Sequence, residues 1–406
     1  MSPRLRWRTA PCGLALAAAL QPVACSPSPP TPAFDLDQVL RPLAVRHPEV
    51  FADPAAYRFQ LLLGVPVERG GETVLERRGF RVDAEYFYPA SAIKTCAAVA
   101  ALELLEGLQE RGVAVDETTT LVFHPLFEDE VLEDRDPSNL ETGAITVGHE
   151  VRKLFLVSDN RAFNRLFGLA GRRAVNEAMW RAGLDSVRVR HRLDEPRTAE
   201  QNRGSPRVDL VPTGGAVTLG ERLDDEMEAN DQPGLVAGRA HLRDGERIDE
   251  PFDFTFKNRI SLADLQDLDV LVLRPDLLPD RPAFRISGSR LDLIRRAMGE
   301  LPRESANPVY SDSEFPDGFT KFLLPGLRRL VPADRLRVYG KTGRAYGFTV
   351  ENSYVVDERT GRSFFLTAVL YTNPNQTLND DDYAYEELAD PFFADLAEVA
   401  AEALLR

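Results

Sequence analysis

The alternation of hydrophobic and polar positions divides the chain into two sheet-forming ends and a helical middle. Residues 35–50 carry an apolar stripe at helical spacing, and residues 57–67 and 72–82 alternate as two strands joined by a Gly-rich turn. Near the other end, three strand-like stretches precede an amphipathic helix. These C-terminal elements are predicted at residues 337–341, 349–356, 363–371 and 388–405.

The middle of the chain is predicted to be helical. A helix begins at Ser91 and is so rich in Ala, Leu and Val that burial on nearly every side is expected. Residues 203–251 are instead rich in Gly, Asp and Glu and predict an inserted loop or small hairpin. Strands at the ends with helices segregated from them predict an α+β fold. In this fold an antiparallel sheet is flanked by the N- and C-terminal helices, and a cleft separates it from an all-α subdomain. The other helices of the middle are predicted at residues 147–157, 161–170, 172–182, 262–273 and 290–298.

Residues 1–25 have the pattern of an export signal. Three arginines precede an apolar stretch, residues 10–24, that is too short to span a bilayer. The segment ends in a sequence around Cys25 that resembles a bacterial lipoprotein processing site, with Pro22 where such sites usually carry Leu. Cleavage by an ordinary signal peptidase nearby is the alternative. We therefore predict an exported protein, periplasmic or anchored to a membrane through lipidated Cys25, that faces outside the cytoplasm.

Behind this signal peptide, residues 26–34 form a Pro/Ser linker and residues 35–406 form one folded domain. Cys96 is the one cysteine of this domain, so no intrachain disulfide is possible after processing. It sits in an Ala-rich run and is expected to be a buried small hydrophobe. The parts of the domain are expected at residues 35–90 and 335–406 for the sheet, 91–334 for the helical subdomain and about 203–251 for the insertion.

Charge excludes one class of partner and directs attention to the lysines. The formal charge is −15, so the chain has no basic surface for nucleic acid. Of its 49 Lys and Arg residues only five are lysine, and Lys94 and Lys341 both fall in short motifs that carry chemistry. Arginine does not give up its proton in a protein, whereas a buried lysine does. Where a cationic side chain must act as a base, lysine can serve and arginine cannot.

The first motif is Ser91-Ala92-Ile93-Lys94. A serine hydroxyl needs a base within hydrogen-bond reach before it becomes a nucleophile. Residues three apart on a helix share one face, so the amine of Lys94 lies on the side of Ser91. The free N–H groups of the first helical turn also favour developing negative charge. An ordinary N-cap serine with a solvent-facing lysine is the alternative.

Two further motifs come later in the chain. Ser158-Asp159-Asn160 lies at a junction between predicted helices, where Ser158 is either an N-cap or a group that passes a proton to the leaving group. Asn160 is expected to hold a substrate amide. In Lys341-Thr342-Gly343 the first two side chains are expected to bind a substrate carboxylate, and Gly343 allows close backbone approach. The N–H of Arg344 is expected to face the start of the Ser91 helix.

The three motifs together resemble the signature of class A β-lactamases and penicillin-binding proteins. Ser158 lies 67 positions after Ser91, close to the spacing in that superfamily, and the insertion accounts for the longer gap to Lys341. The Tyr88-Pro89 lead and the residues after Gly343 also look like those of class A enzymes. The resemblance covers most of residues 35–406. It implies a serine hydrolase that forms an acyl-enzyme on Ser91.

The fate of the acyl-enzyme depends on a carboxylate in the loop after the second motif. In class A enzymes a Glu in an Arg-x-Glu-Pro-x-x-Asn pattern holds the deacylating water, and the resemblance assigns this role to Glu195. The chain departs from the pattern twice, since Arg192 stands one residue too far back and Ala199 replaces the Asn. Asn202 is a substitute if the loop shifts locally.

The sequence therefore predicts a class A-type β-lactamase whose catalytic residues are Ser91, Lys94, Ser158 and Glu195. The alternatives are a D,D-peptidase of the penicillin-binding type and a slow-turnover lipoprotein that binds β-lactams or cell-wall peptide. The expected partner is a small β-lactam or cell-wall peptide, and a monomer is expected. No cofactor is predicted, and no metal, because the histidines lack ligand spacing. The predicted substrate-binding residues are Asn160, Lys341, Thr342, Gly343 and Arg344.

Overall fold

The computed structural model describes residues 34–212, 214–225 and 235–406. The predicted signal peptide, the lipidation site Cys25 and nearly all of the Pro/Ser linker lie outside the described residues. In the part of the chain that is described, no helix is both long enough and apolar enough to cross a membrane.

Helices lie at both ends of the described domain and in parts of its middle. The predicted first helix is divided because Pro48 lacks the N–H that would continue it, and Pro48 instead begins a second short helix. A 3₁₀ turn, Ala90–Ile93, leads into the long buried helix α3. The helices are α1 (Asp37–Arg46), α2 (Pro48–Ala52), α3 (Lys94–Glu110), α4 (Val147–Leu156), α5 (Asn160–Ala170), α6 (Arg172–Arg181), α7 (Leu262–Leu273), α8 (Gly288–Gly299), α9 (Leu324–Leu327) and α10 (Asp390–Leu405).

The main sheet is antiparallel and combines strands from the two ends of the chain. Its order is β12-β14-β15-β1-β2, and β13 also pairs with β14. The strands are β1 (Gln60–Arg69), β2 (Glu72–Phe80), β3 (Thr120–Phe123), β4 (Gly204–Ser205), β5 (Val208–Val211), β6 (Val217–Leu219), β7 (Arg222–Leu223), β8 (Val236–Ala237), β9 (Ala240–Arg243), β10 (Glu246–Ile248), β11 (Phe252–Asp253), β12 (Leu336–Gly340), β13 (Gly343–Ala345), β14 (Phe348–Asp357), β15 (Ser363–Tyr371) and β16 (Thr377–Leu378).

Both faces of the sheet are buried, as the side-chain alternation of β1 shows. Leu61 and Leu63 pack with the terminal helices, whereas Leu62 belongs to the core on the opposite face. Helix α7 covers that opposite face, and Gln266 on it donates to the Leu62 carbonyl oxygen at 2.9 Å. This arrangement confirms the predicted fold class, an α+β domain with terminal helices on one face of the sheet and the helical subdomain on the other.

The predicted insertion is more structured than a loop. Its first part adds strands to the helical subdomain, where β5 pairs with β3 and β6. Its second part forms the β9–β10 hairpin, which pairs with β16 in parallel, and β11 pairs with β8. This part lies close to the segment around Gln376, because a Cβ at Gly238 would lie 2.8 Å from the Gln376 carbonyl oxygen. The helical middle is therefore not purely α.

Candidate active site

Ser91 lies in the 3₁₀ turn before α3, at the edge of a cleft. The residue before it, Ala90, has a φ of +47°, a left-handed conformation that is uncommon outside glycine. The strand β13 lies directly against this turn, because a Cβ at Gly343 would collide with the Pro89 carbonyl oxygen and would lie 2.9 Å from the Ser91 nitrogen. Glycine at position 343 is therefore required for the third motif to reach the first.

Lys94 is fully buried rather than turned to solvent. Its amine donates to the Ser158 carbonyl oxygen, to Asn160 Oδ1 at 2.6 Å and to Ser158 Oγ at 3.3 Å. In the described part of the chain no hydrogen bond joins this amine to Ser91. Burial lowers the pKa of Lys94 to about 7, against the opposing effect of the nearby carboxylates of Asp159 and Asp194.

Ser158 does not cap the following helix. The cap of α5 is Asp159, whose side chain accepts from the Ala162 N–H at 2.9 Å. Ser158 itself has a φ of +58° between α4 and α5, and this conformation leaves its hydroxyl facing the two motif lysines. An N-cap role therefore does not account for a serine at this position.

Lys341 completes the set from the other side of the cleft. Its amine lies 2.8 Å from Ser158 Oγ and also donates to the Thr342 carbonyl oxygen at 2.8 Å. Burial, together with the positive charges of Lys94 and Lys321, lowers the pKa of Lys341 well below its usual value. Two buried amines around one hydroxyl cannot both remain charged at low cost, and a neutral amine beside Ser158 can accept a proton.

The side chain of Arg344 is held away from Ser91. Its guanidinium pairs with Asp390 and packs over the rings of Phe322 at 4.4 Å and Tyr385 at 4.9 Å. Thr342 is also fixed by the backbone, since its hydroxyl donates to the Thr320 carbonyl oxygen at 3.3 Å. The expected role of the Arg344 backbone N–H at the Ser91 turn stays a prediction.

The loop that carries Glu195 is tied down by two asparagines. Asn164 Oδ1 accepts from the Leu193 N–H and its Nδ2 donates to the Leu193 carbonyl oxygen, each at 2.9 Å. Asn202 Oδ1 accepts from the Arg192 N–H at 2.9 Å. Asn202 thus binds loop backbone rather than the Glu195 carboxylate.

Both carboxylate oxygens of Glu195 have partners. Arg197 Nε donates to Oε1 at 2.9 Å, and Asn164 Nδ2 donates to Oε2 at 3.3 Å. Arg192 Nε lies 3.9 Å from the same Oε2. Glu195 still lines the cleft with Ser91, and a quarter of its side chain is exposed. Its deacylating role stays a prediction.

Asp194 is a second carboxylate that the sequence reasoning missed. It is exposed, has a φ of +55° and lines the same cleft as Ser91. Its charge raises the pKa of Lys94, against the larger effect of burial. A sequence signal exists, because Arg192 and Asp194 keep the Arg-x-acid spacing of the class A pattern.

A buried charged cluster lies behind the cleft and was also missed. Lys321 donates to the Met298 carbonyl oxygen at 2.6 Å, and burial lowers its pKa to about 8. Burial raises the pKa of Glu351 to about 7 and that of Asp269 well above its usual value. The positive charge of Lys321 contributes to the lowered pKa of Lys341. The scarcity of lysine was the available signal for this residue.

The cleft encloses about 740 Å³. No group of three or more His, Cys, Asp or Glu side chains within residues 34–212, 214–225 and 235–406 is arranged to hold a metal ion. Cys96 is fully buried as expected, and burial raises the pKa of its thiol. The residues that line the cleft include Ser91, Asn160, Asp194, Glu195, Lys257, Arg344, Tyr346 and Asp381.

Comparisons with known proteins agree with this geometry. Residues 77–218 match the model of the Beta-lactamase enzyme family, a range that includes the first two motifs and Glu195 but ends before Lys341. No curated protein matches the sequence.

Solved β-lactamase structures cover nearly the whole domain at low identity. Those from Desulfarculus baarsii, Sphaerobacter thermophilus and Streptomyces albus G are 16%, 15% and 18% identical to this chain, with TM-scores of 0.50, 0.49 and 0.49. Each alignment covers 91% of this chain, and 97%, 97% and 99% of the respective structures. At such identities the likeness concerns the fold alone. It rests on the D. baarsii structure, whose TM-score of 0.50 is the highest of the three. With the family match, it shows that the chain has a β-lactamase fold and that residues 77–218 are similar in sequence to the Beta-lactamase enzyme family.

Proposed function

We propose that the protein is a serine β-lactamase of the class A type, which opens the β-lactam amide through an acyl-enzyme on Ser91. The observation that carries this proposal is the meeting of two buried amines, Lys94 and Lys341, at the hydroxyl of Ser158. A structural role would not require two lysines at one serine, since burying two like charges together is costly. Proton transfer explains the arrangement.

Acylation would begin with attack of Ser91 Oγ on the lactam carbonyl carbon. Neutral Lys94 takes the serine proton, and the oxyanion is stabilised by the N–H groups of Ser91 and Arg344. As the C–N bond breaks, the proton passes through Ser158 to the leaving nitrogen. Lys341 supports this relay by donating to Ser158 Oγ, because this hydrogen bond makes the proton of the Ser158 hydroxyl easier to lose.

Substrate binding uses the same elements. Lys341 and Thr342 are proposed to hold the carboxylate of the substrate. The negative charge of this carboxylate favours the protonated form of Lys341. Asn160 is proposed to hold the side-chain amide. The close approach of Gly343 to Ser91 allows the substrate to lie along β13.

Hydrolysis requires a water molecule that a carboxylate activates. The sequence pattern assigns this step to Glu195, which lines the cleft. We propose Asp194 as the stronger candidate, because its carboxylate acts on Lys94 while both oxygens of Glu195 already have partners. Attack by the water on the ester carbon releases Ser91 and the opened acid, and the proton returns to the serine oxygen.

A D,D-peptidase of the penicillin-binding type, or a slow-turnover binding lipoprotein, is the competing proposal. The engagement of Glu195 by Arg197 and Asn164 favours it, because such a carboxylate is less available to a water molecule. Acylation would then be intact and deacylation slow.

We further propose export with a tether at Cys25, from the signal pattern. Recovery of the full-length chain in the cytoplasmic fraction would count against this proposal.

Turnover against labelling tests the proposed function. We expect the protein to hydrolyse many equivalents of a chromogenic cephalosporin and to lose a fluorescent penicillin label within seconds to minutes. A stable label with a single equivalent of product would establish the penicillin-binding alternative. Neither label nor product would contradict both.

The pH profile of acylation tests the role of Lys94. Since its pKa is about 7, the neutral amine becomes more abundant as the pH rises from 6 to 8, and the acylation rate is expected to rise over that range and then level off. Lys94→Arg cannot lose its proton and is expected to lose the rising limb and about 10²- to 10⁴-fold in rate. Stopped-flow acylation by a chromogenic cephalosporin measures both.

The thermal unfolding midpoint of Lys94→Arg is the control for folding. A folded Lys94→Arg protein that kept the rising limb near pH 7 would show that another group titrates there.

A further inference from the structure

Lys257 is a positively charged group in the cleft that the proposed mechanism does not use. It lines the cleft with Ser91 and is half-buried. Its amine lies 3.3 Å from Tyr346 Oη, and 5.6 Å and 5.7 Å from the ring centres of Tyr346 and Phe252. The ammonium therefore lies at the hydroxyl edge of Tyr346 and within cation–π range of Phe252, contacts that hold a cation in position.

The backbone on both sides of Lys257 is anchored. Phe254 before it is buried, and Asn258 after it is fully buried. Asn258 Oδ1 accepts from the N–H groups of Arg190 at 2.7 Å and His191 at 3.1 Å, which joins this segment to the loop that carries Asp194. Lys257 is therefore presented to the cleft by a fixed segment rather than by a free surface chain.

Among the residues that the structure describes, Lys257 has no carboxylate partner. Acidic side chains line the same cleft, yet none within the described residues forms an ion pair with this amine. Arg344, by contrast, is paired with Asp390, and Lys153 is paired with Asp136 at 2.7 Å. An unpaired cation in a partly desolvated cleft favours a negatively charged ligand.

The position of Lys257 separates it from the site of the substrate carboxylate. Lys341 precedes β13 and Tyr346 follows it, so the two lie five residues apart along an extended segment, about 16 Å at strand spacing. A substrate that lies along β13 with its carboxylate at Lys341 would extend its acyl side chain toward Tyr346 and Lys257. The two cations thus face opposite ends of one substrate.

We propose that Lys257 and Tyr346 form a subsite that selects substrates whose acyl side chain carries a negative group next to an aromatic ring. This inference rests on the proposed β-lactamase function. It also assigns a role to the insertion, because its strand β8 pairs with β11, the strand that leads to Lys257, and its strand β9 pairs with β16 beside the cleft residues Asn379 and Asp381.

A matched pair of penicillins tests the subsite. Benzylpenicillin and α-carboxybenzylpenicillin share an aromatic side chain and differ by one carboxylate. In Lys257→Met, kcat/KM for the carboxylated compound is expected to fall about 10-fold more than for benzylpenicillin, because a charge-assisted contact is lost. The ratio of the two values, measured on one sample, does not depend on the folded fraction.

Lys257→Arg is the matched variant, because it keeps the charge and is expected to keep most of the discrimination. Acylation by both penicillins with an unchanged ratio in Lys257→Met would overturn the subsite and leave the proposed function intact. Failure of both penicillins to acylate the wild-type protein would overturn the proposed function and the subsite with it.

Discussion

Ser91→Ala is expected to lower kcat for a chromogenic cephalosporin by at least about 10⁴-fold and to abolish covalent labelling by a fluorescent penicillin. The reason is the loss of the nucleophilic oxygen that the proposed acyl-enzyme requires. Folding should be retained, because the Ser91 hydroxyl has no hydrogen-bond partner within the described residues. Intact-protein mass spectrometry after exposure to penicillin measures the label directly.

Ser313→Ala is the matched control for this change, since Ser313 is exposed and far from the motifs in sequence. It is expected to keep both turnover and labelling. A penicillin adduct on folded Ser91→Ala protein would show that another group is acylated and would end the proposed mechanism.

Asp194→Asn is expected to slow deacylation by about 10²- to 10⁴-fold, so that the acyl-enzyme accumulates after an initial burst of product. The reason is the loss of the carboxylate proposed to activate the water. Acylation should survive, because removing this negative charge lowers the pKa of Lys94 and leaves more neutral amine at pH 7. Burst amplitude and mass spectrometry of the quenched enzyme separate the two steps.

Glu195→Gln is the comparison that gives this result its meaning. The two carboxylates are adjacent in one loop, yet Arg197 and Asn164 hold only Glu195. We expect Glu195→Gln to affect turnover less than Asp194→Asn. Trapping by Glu195→Gln alone would restore the role that the sequence pattern assigns to Glu195, and no trapping by either would favour the penicillin-binding alternative.

Local pattern predicted the elements that build the site, because each motif sits where a helix or strand begins. The helix predicted to begin at Ser91 begins at Lys94, after a 3₁₀ turn that contains Ser91. The junction at Ser158 and the strands around Lys341 agree with periodicity and with residue types. The sheet was predictable because both ends of the chain carry strand-like patterns of their own. Their pairing, β1 with β15, joins residues about 300 positions apart and confirms the fold class.

Long-range contacts set the parts that sequence reasoning missed. The orientation of the two loop carboxylates depends on the left-handed backbone at Asp194 and on the anchor at Asn164, and neither leaves a periodic signal. The segment that presents Lys257 to the cleft is held by long-range contacts, the pairing of β11 with β8 and the hydrogen bonds of Asn258. Pro48 can be read in the sequence, but the apolar stripe continues past it. Periodicity alone therefore predicts one helix where the structure has two.

The placement of the five lysines has a practical consequence for chemical modification. Four of them, including Lys94 and Lys341, are buried, and Lys257 in the cleft is the one that is partly accessible. The other 44 of the 49 Lys and Arg residues are arginines, which acylating amine reagents do not modify. A succinimidyl ester or a similar conjugation reagent would therefore find its accessible lysine amine at the mouth of the cleft. Amine conjugation through a lysine would therefore place the label in the cleft itself.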